Sequence, residues 1–371
     1  MTNRNRGKKR IFIVIWVILL FLFANSVIVF GPLAYKSAKI FFNRIVYNAS
    51  INKENLTSIP IVVAFNNDYI YPSLVCLSSL LDSSDGDTFY DIYFFISDEF
   101  DEKNKSKILQ LKDIFFNFKA NFVNLNEKKE IFDNIEVYGD FSKEMFYRLV
   151  IQDVLLNFEK CIYIDVDTVV KKDLKPLYFQ DVDDFYIAAV PDGTRSEPQL
   201  TESKEEYNKK IAERKKYSDS LNLPNLKNFI NSGVIVWNLK KCREDDLGRK
   251  FSDFIKKNQQ KEDLLLCDQD AINAVCNGKI KDLPFYFNSQ TYFYLHKTYE
   301  EMLPSLVNSS YIFTKEEWDI ARFDPSIIHF AYKKPWNQFD IYFAEKWWKS
   351  AKKNIFWEEI LNKYIFKNDL I

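Results

Sequence analysis

The sequence predicts an α/β domain. Between residues 59 and 337, apolar runs of strand length alternate with longer stretches of helical period. Of the 371 residues, 47% are hydrophobic and 17% aromatic, enough to bury a large core. Turn formers or charges bound the apolar runs, as they do where strands end. The charges balance, 51 Lys+Arg against 52 Asp+Glu for a net of -1, which leaves no broad basic face for nucleic acid.

Residues 1–10 form a basic tail, with Arg4, Arg6, Lys8, Lys9 and Arg10 and no acid. Ile11–Phe30 then runs for 20 residues without a charge, long enough to span a bilayer. The Gly31-Pro32-Leu33-Ala34 that follows is a poor cleavage signal, so a single uncleaved transmembrane helix over 11–30 is expected. Lys36, Lys39 and Arg44 lie just beyond it, and the small charge difference across the span leaves the orientation open. The expected place is a membrane, with the domain at a bacterial inner membrane or in a Golgi lumen. Residues 31–58 read as a linker. Sequons at Asn48, Asn55, Asn104 and Asn308 matter only if the domain is luminal.

Within the domain, Ile61–Phe65, Ile92–Ile96, Phe122–Leu125, Ile162–Ile164, Tyr186–Val190 and Val234–Trp237 are expected strands, since β-branched and aromatic residues dominate most of them. Tyr71–Leu81, Lys103–Phe116, Lys143–Leu156 and Leu247–Lys257 carry apolar residues at helical spacing and are expected to cover the sheet. Glu197–Ser220 is charged and polar, a solvated loop or helix. Residues 338–371 form an aromatic and basic tail of helical character, suited either to an anionic lipid surface or to packing on the domain.

Chemistry concentrates where an apolar strand ends in two acids, Tyr163-Ile164-Asp165-Val166-Asp167. Asp-x-Asp also occurs at Asp85/Asp87, Asp181/Asp183 and Asp268/Asp270, but only this pair directly follows a strand-like run, where α/β sheets place ligands. Hard oxygen ligands suit Mg or Mn, and such an ion would neutralise a diphosphate without a Gly-rich loop. That matters because the chain has eight glycines and neither a Walker pattern nor a dinucleotide fingerprint. The five cysteines show no Cys-x-x-Cys spacing, so neither a disulfide framework nor a structural zinc site is indicated. Later, Ser326-Ile327-Ile328-His329 ends a short buried run in an imidazole able to complete the metal site, and Lys334 follows as a mobile point charge for phosphate.

These residues resemble the retaining glycosyltransferases of family 8, which include glycogenin and bacterial lipopolysaccharide galactosyl- and glucosyltransferases. Ile61 to Tyr69 is similar to the family's nucleoside-binding start, and Phe146-Tyr147-Arg148-Leu149 to its helical Tyr-x-Arg-Leu motif. Asp165-Val166-Asp167 resembles its metal motif, and Ala188 to Asp192 the strand whose terminal acid lies near the sugar. Asn231-Ser232-Gly233, Asp268-Gln269-Asp270 and His329 with Lys334-Pro335-Trp336 resemble the remaining motifs, in the family's order. Two departures stand out: Asn66 sits where the family commonly has an acid, and the His329-to-Lys334 loop is one residue short and lacks its glycine.

The resemblance implies a GT-A type fold, a mixed, mainly parallel sheet flanked by helices, and transfer of a hexose from a UDP-sugar with retention of configuration. It implies Mn2+, with Mg2+ as the alternative, held by Asp165, Asp167 and His329. Ala64, Asn66, Asp68, Tyr69, Arg148, Val166, Asn231, Ser232 and Lys334 would bind the donor, Lys334 at the diphosphate. Asp192, Asp268 and Gln269 would act at the sugar. The expected partners are a UDP-hexose and a glycan acceptor, lipopolysaccharide or another lipid-linked glycan; no nucleic acid is expected and the oligomeric state is open. The competing readings are a metal-dependent nucleotidyltransferase and a membrane-tethered glycan-binding protein with a decayed site.

Overall fold

The structure, a computed structural model, describes residues 56–126, 142–192, 203–226, 229–258, 267–291, 294, 298–301 and 314–366. The expected membrane span at 11–30 lies outside them, and among the described residues no helix is long and apolar enough to cross a membrane. They divide into two compact units. The smaller contributes Gln110–Phe116, where the Ile114 and Phe115 N–H groups both donate to the Leu111 carbonyl in a 3-10 turn. The larger holds everything described below.

Strands β1 (Thr57–Ala64), β2 (Thr88–Ile96), β3 (Phe118–Asn124), β4 (Lys160–Ile164), β5 (Thr168–Val170), β6 (Ile187–Pro191), β7 (Ile230–Asn238), β8 (Ile280–Asp282), β9 (Ser289–Gln290) and β10 (Ile327–His329) form two sheets. The larger has the order β3-β2-β1-β4-β7-β6-β8, and the smaller β5-β10-β9. In the larger sheet β7 runs antiparallel to both β4 and β6, while the other pairings are parallel. The mixed, mainly parallel sheet that the resemblance implies is therefore present.

This order positions the site. The chain leaves β1 for β2 and β3 on one side, then returns as β4 on the other, so β1 and β4 flank a topological switch point. Crevices outside the carboxyl ends of strands at such a point bind ligands in open α/β sheets. β1 delivers Asn66 and Tyr69 there, and β4 delivers Asp165. β10 then pairs antiparallel with β5, setting His329 opposite Thr168, and the Phe330 N–H donates to the Asp167 carbonyl at 3.0 Å. Two short strands thus bring His329 to acids more than 160 positions earlier in the chain.

The alternation of β-strand side chains sends Val62, Tyr163, Ile235 and Trp237 to one face of the sheet. There they pack with Phe146, Leu149, Ile151, Phe251 and Ile272 in a fully buried core. The apolar stripe of Leu247–Asn258, with Leu247, Phe251 and Ile255 buried, supplies part of this layer as its spacing predicts. Lys143–Leu156 differs from expectation. Lys143–Val150 winds as a 3-10 helix and only Ile151–Val154 as α-helix. Five consecutive residues, Phe146 to Val150, are buried, so no solvent-facing stripe exists to set an amphipathic α-helix. Of the polar segment, Lys204–Ser220 is a helix, capped by Ser203 accepting from the Glu206 N–H.

The carboxyl-terminal helices Ala344–Lys353 and Trp357–Tyr364 pack on the domain. Trp347 is fully buried, and Asn354 donates to the Leu74 carbonyl at 2.9 Å and to Ser78 Oγ at 2.8 Å. Lys346, Lys349, Lys352 and Lys353 are left on the outer side, half-buried or exposed.

Candidate active site

Asp165, Asp167 and His329 converge, their nearest ligand atoms all within 4.8 Å of one another. Each has one polar atom tied to a neighbour and one left open. Asp165 Oδ1 accepts from Arg148 Nη2 and from Tyr163 Oη, both at 2.8 Å, leaving Oδ2. Asp167 Oδ2 accepts from Lys334 Nζ, leaving Oδ1. His329 Nδ1 lies 2.9 Å from Asn288 Oδ1, leaving Nε2. That Nε2 is 3.2 Å from Asp167 Oδ1 and 3.8 Å from Asp165 Oδ2.

Asp167 Oδ1 is buried and has no hydrogen-bond partner among the described residues. A buried carboxylate oxygen and an imidazole nitrogen that face each other without a bond are what a cation reconciles, since both offer it lone pairs. Two carboxylate oxygens and one imidazole nitrogen form a donor set that Mn2+ accepts and Mg2+ tolerates. The residues therefore fit the ion.

Gly233 makes the convergence possible. The chain is fully extended here in β7, and a Cβ on this residue would sit 2.1 Å from His329 Cε1 and 2.8 Å from Asp165 Oδ2. β7 begins earlier than the sequence suggested, so Asn231-Ser232-Gly233 is strand and not a turn before one. Pairing with β6 resumes at Pro191 and Ile230 after a shift in register, which aims Asn231 and Asp192 at each other.

Arg148 is buried at 4% exposure, held by contacts on every side. Its Nε donates to the Met145 carbonyl at 3.0 Å and its Nη1 to the Ser232 carbonyl at 2.7 Å. The guanidinium lies 4.2 Å over the Tyr163 ring and also pairs with Asp268, Nε to Oδ2 at 3.0 Å. Burial opposes its charge, but Asp165 and Asp268 together outweigh burial and raise its pKa above the ordinary arginine value. Burial raises the Asp268 carboxyl, with Arg148 offsetting only part. Asp167 goes the other way: Lys334 and then His329 overcome burial and hold it below the usual carboxylate range.

On the far side of β7, Gln269 Nε2 donates to Asp192 Oδ2 at 2.8 Å, and its Oε1 accepts the Ser232 N–H at 3.0 Å. Asn231 Nδ2 faces the same Asp192 oxygen at 3.5 Å. Asp268 and Gln269 open the helix Asp268–Val275, whose N-cap is Cys267. Asp268, Asp192, Asn231, Ser232 and Arg148, all buried, and the half-buried Gln269 thus form one network beside the three candidate ligand residues, with Val166 buried between the two acids.

The nucleoside-side residues are more dispersed. Ala64 ends β1, half-buried, and Asn66 caps the turn Asn67–Tyr69 by accepting the Asp68 N–H at 3.1 Å. Asp68 itself is exposed and stands outside the buried network. The Tyr69 ring meets Trp336 edge-on at 6.1 Å, which joins the turn after β1 to the Lys334-Pro335-Trp336 segment. Despite its missing residue, the His329-to-Lys334 loop brings Lys334 Nζ back to the Phe330 carbonyl at 2.8 Å as well as to Asp167. Asn288, Tyr163 and Gly233 were not among the site residues expected from sequence. Tyr163 reads as core and Asn288 as loop, and neither carries a charge that would mark it.

The fold and sequence have known counterparts. General stress protein A of Bacillus subtilis is 27% identical over 199 residues, 53% of this chain and 60% of that protein. Glycosyltransferase GlyA of Streptococcus pneumoniae is 25% identical over 292 residues, 78% of this chain and 34% of that protein. The chain thus spans less than two thirds of the length of either relative. Among solved structures, galactosyltransferase LgtC in complex with donor and acceptor sugar analogs superposes with a TM-score of 0.61 at 20% identity, covering 82% of this chain and all of that one. The family model described as glycosyl transferase family 8 matches residues 60–340, most of the chain, and the chain belongs to that family of glycosyltransferases.

Proposed function

We propose that the chain is a divalent-cation-dependent, retaining hexosyltransferase that moves galactose or glucose from a UDP-sugar to a membrane-linked glycan. The observation that carries this reading is the open trio of Asp165 Oδ2, Asp167 Oδ1 and His329 Nε2, set beside the hydrogen-bonded network of Asp192, Asp268 and Gln269. Asp165, Asp167 and His329 would hold Mn2+, which when bound neutralises charge developing on a departing diphosphate. Lys334, paired with Asp167, is the cation of this chain placed to shift toward the diphosphate. Asp192 and Gln269 present a carboxylate oxygen and an amide to sugar hydroxyls, held rigid by the Ser232 backbone.

Retention through a covalent sugar on the protein needs a free carboxylate below the anomeric carbon. Asp268 is paired with Arg148 and its carboxyl is pushed toward the protonated state by burial, which makes it a poor nucleophile. Gln269 carries a neutral amide, whose oxygen already accepts the Ser232 N–H, and is a weaker nucleophile than a carboxylate. The chemistry favoured is therefore front-face displacement, in which the diphosphate oxygen that leaves also accepts the proton of the incoming hydroxyl. The run Ile11–Phe30 would tether the domain near a lipid-linked acceptor.

The test is UDP release from a panel of UDP-hexoses with Mn2+ and with chelator. Turnover of one donor, lost with chelator and reduced at least ~10²-fold in Asp167→Ala, is expected. Turnover that chelator leaves untouched would remove the metal from the mechanism, and no turnover or UDP binding under any condition would remove the donor assignment.

A further inference from the structure

Asn288 is fully buried and joins two parts of the site: its Nδ2 donates to Asn231 Oδ1 at 2.9 Å, and its Oδ1 stands 2.9 Å from His329 Nδ1. The direction of these amides follows from the backbone. The Gly233 N–H can only donate, and it does so to Asn231 Oδ1 at 3.0 Å. The Asn288 atom that meets the same oxygen must also be a donor, so it is Nδ2. The atom turned to His329 is then Oδ1, an acceptor, and the imidazole proton sits on Nδ1. Gln269 is oriented in the same manner by the Ser232 N–H.

The other tautomer has an evident attraction. With its proton on Nε2, His329 would donate to Asp167 Oδ1, 3.2 Å away and otherwise without a hydrogen bond among the described residues. That arrangement would satisfy the carboxylate and aim a proton at the point where the three ligand residues converge. Asn288 and Asp167 thus compete for opposite tautomers of one ring.

We propose that Asn288 is a positioning residue that holds His329 in the Nδ1–H tautomer, its Nε2 lone pair presented to the cation, and that Asn231 keys this choice to the Ser232–Gly233 backbone. The proposal rests on the reading of His329 as a metal ligand. Partners of ligating imidazoles fix ring orientation and tautomer, and their loss costs 10–100-fold in metal affinity as a rule. The same chain of amides ends at Asp192, so the metal side and the sugar side of the site share one anchor of two successive backbone N–H groups.

The experiment is 15N NMR of protein labelled at histidine. The chain has two, His296 and His329, and His296→Gln assigns the signals. In the metal-free wild-type protein the neutral His329 ring is expected to carry its proton on Nδ1; a proton on Nε2 overturns the proposal without any variant. Asn288→Leu is expected to move the proton to Nε2 and weaken Mn2+ binding ~10–100-fold by EPR titration. Asn288→Asp keeps the acceptor toward His329 but loses the donor to Asn231 Oδ1, so it is expected to restore the wild-type tautomer while recovering only part of the Mn2+ affinity. An unchanged tautomer in Asn288→Leu, or no restoration by aspartate, overturns the assignment, and if the leucine variant does not fold the wild-type spectrum and the aspartate variant decide. Failure of the wild-type protein to bind Mn2+ sinks the ligand reading itself, and the wild-type tautomer tells that failure apart from failure of Asn288's role.

Discussion

Gly233 and Arg148 do most to hold the candidate ligand residues in place, and sharp expectations follow for Gly233 and for Asp268, the partner of Arg148. In Gly233→Ala the new methyl must displace either the His329 ring, held by Asn288, or the Asp165 carboxylate, held by Arg148 and Tyr163. Overpacking of this kind costs about 1–3 kcal/mol, readable in denaturant unfolding, and Mn2+ affinity is expected to fall at the same time. If the variant keeps wild-type affinity, the three side chains do not share an ion. Asp268→Asn tests the burial of that carboxyl through pH. An acid raised above its unfolded value of ~3.9 favours the folded state while protonated, and that contribution is lost as pH rises through its folded value. The asparagine variant lacks this loss, so its stability relative to wild type is expected to improve from pH 4 to pH 7 even as transfer activity falls. A relative stability that worsens over that range would show that Arg148 outweighs burial.

Among the elements, those with long apolar runs were legible and those made by assembly were not. The strands around Ile61–Phe65, Ile92–Ile96 and Ile162–Ile164 are visible because β-branched and aromatic residues fill them, though β1 and β2 start four residues earlier, where Pro60 and Asp91 break the apolar pattern. β5, β9 and β10 have two or three residues each, too few for a period, yet they carry His329 to the acids. The acids, His329 and Lys334 were found because charge after an apolar run stands out. Asn288 was not, because a neutral amide in Phe287-Asn288-Ser289 becomes informative only once it is known to be fully buried. The carboxyl-terminal tail is part of the packed domain by the evidence of Trp347 and Asn354. Asn354→Ala removes both hydrogen bonds to the helix Ile70–Asp82 and is expected to cost about 1–3 kcal/mol of stability while leaving Mn2+ affinity unchanged. Unaltered stability would mean that the tail rests on the domain without supporting it.

The whole molecule joins a nearly neutral chain, net charge -1, to an active site in which the acids Asp165, Asp167, Asp192 and Asp268 outnumber the cations Arg148 and Lys334. Arg148 lies between Asp165 and Asp268, and Lys334 on Asp167, so nothing in the total charge draws the domain to an anionic surface. Two stretches are candidates for attachment to a membrane, the uncharged Ile11–Phe30 and the lysines of Ala344–Lys353. Their physics differ. An apolar run that spans a bilayer is held against both salt and high pH, whereas lysines near a surface contribute roughly 1 kcal/mol each and are screened by salt. The full chain is expected to stay with vesicles containing anionic lipid through a high-salt and an alkaline wash. Protein lacking Met1–Asn48 is expected to release in high salt. If the shortened protein also resists both washes, the carboxyl-terminal helices hold the membrane by more than charge; if the full chain is released by salt alone, Ile11–Phe30 is not an anchor. An unglycosylated sequon at Asn104 gives no check on side, because that asparagine is 8% exposed with its amide bonded to Asn67 Oδ1 at 2.8 Å. It is expected to remain unglycosylated in protein that has folded, even in a secretory compartment, so glycan there would report a luminal chain modified before Asn104 was buried.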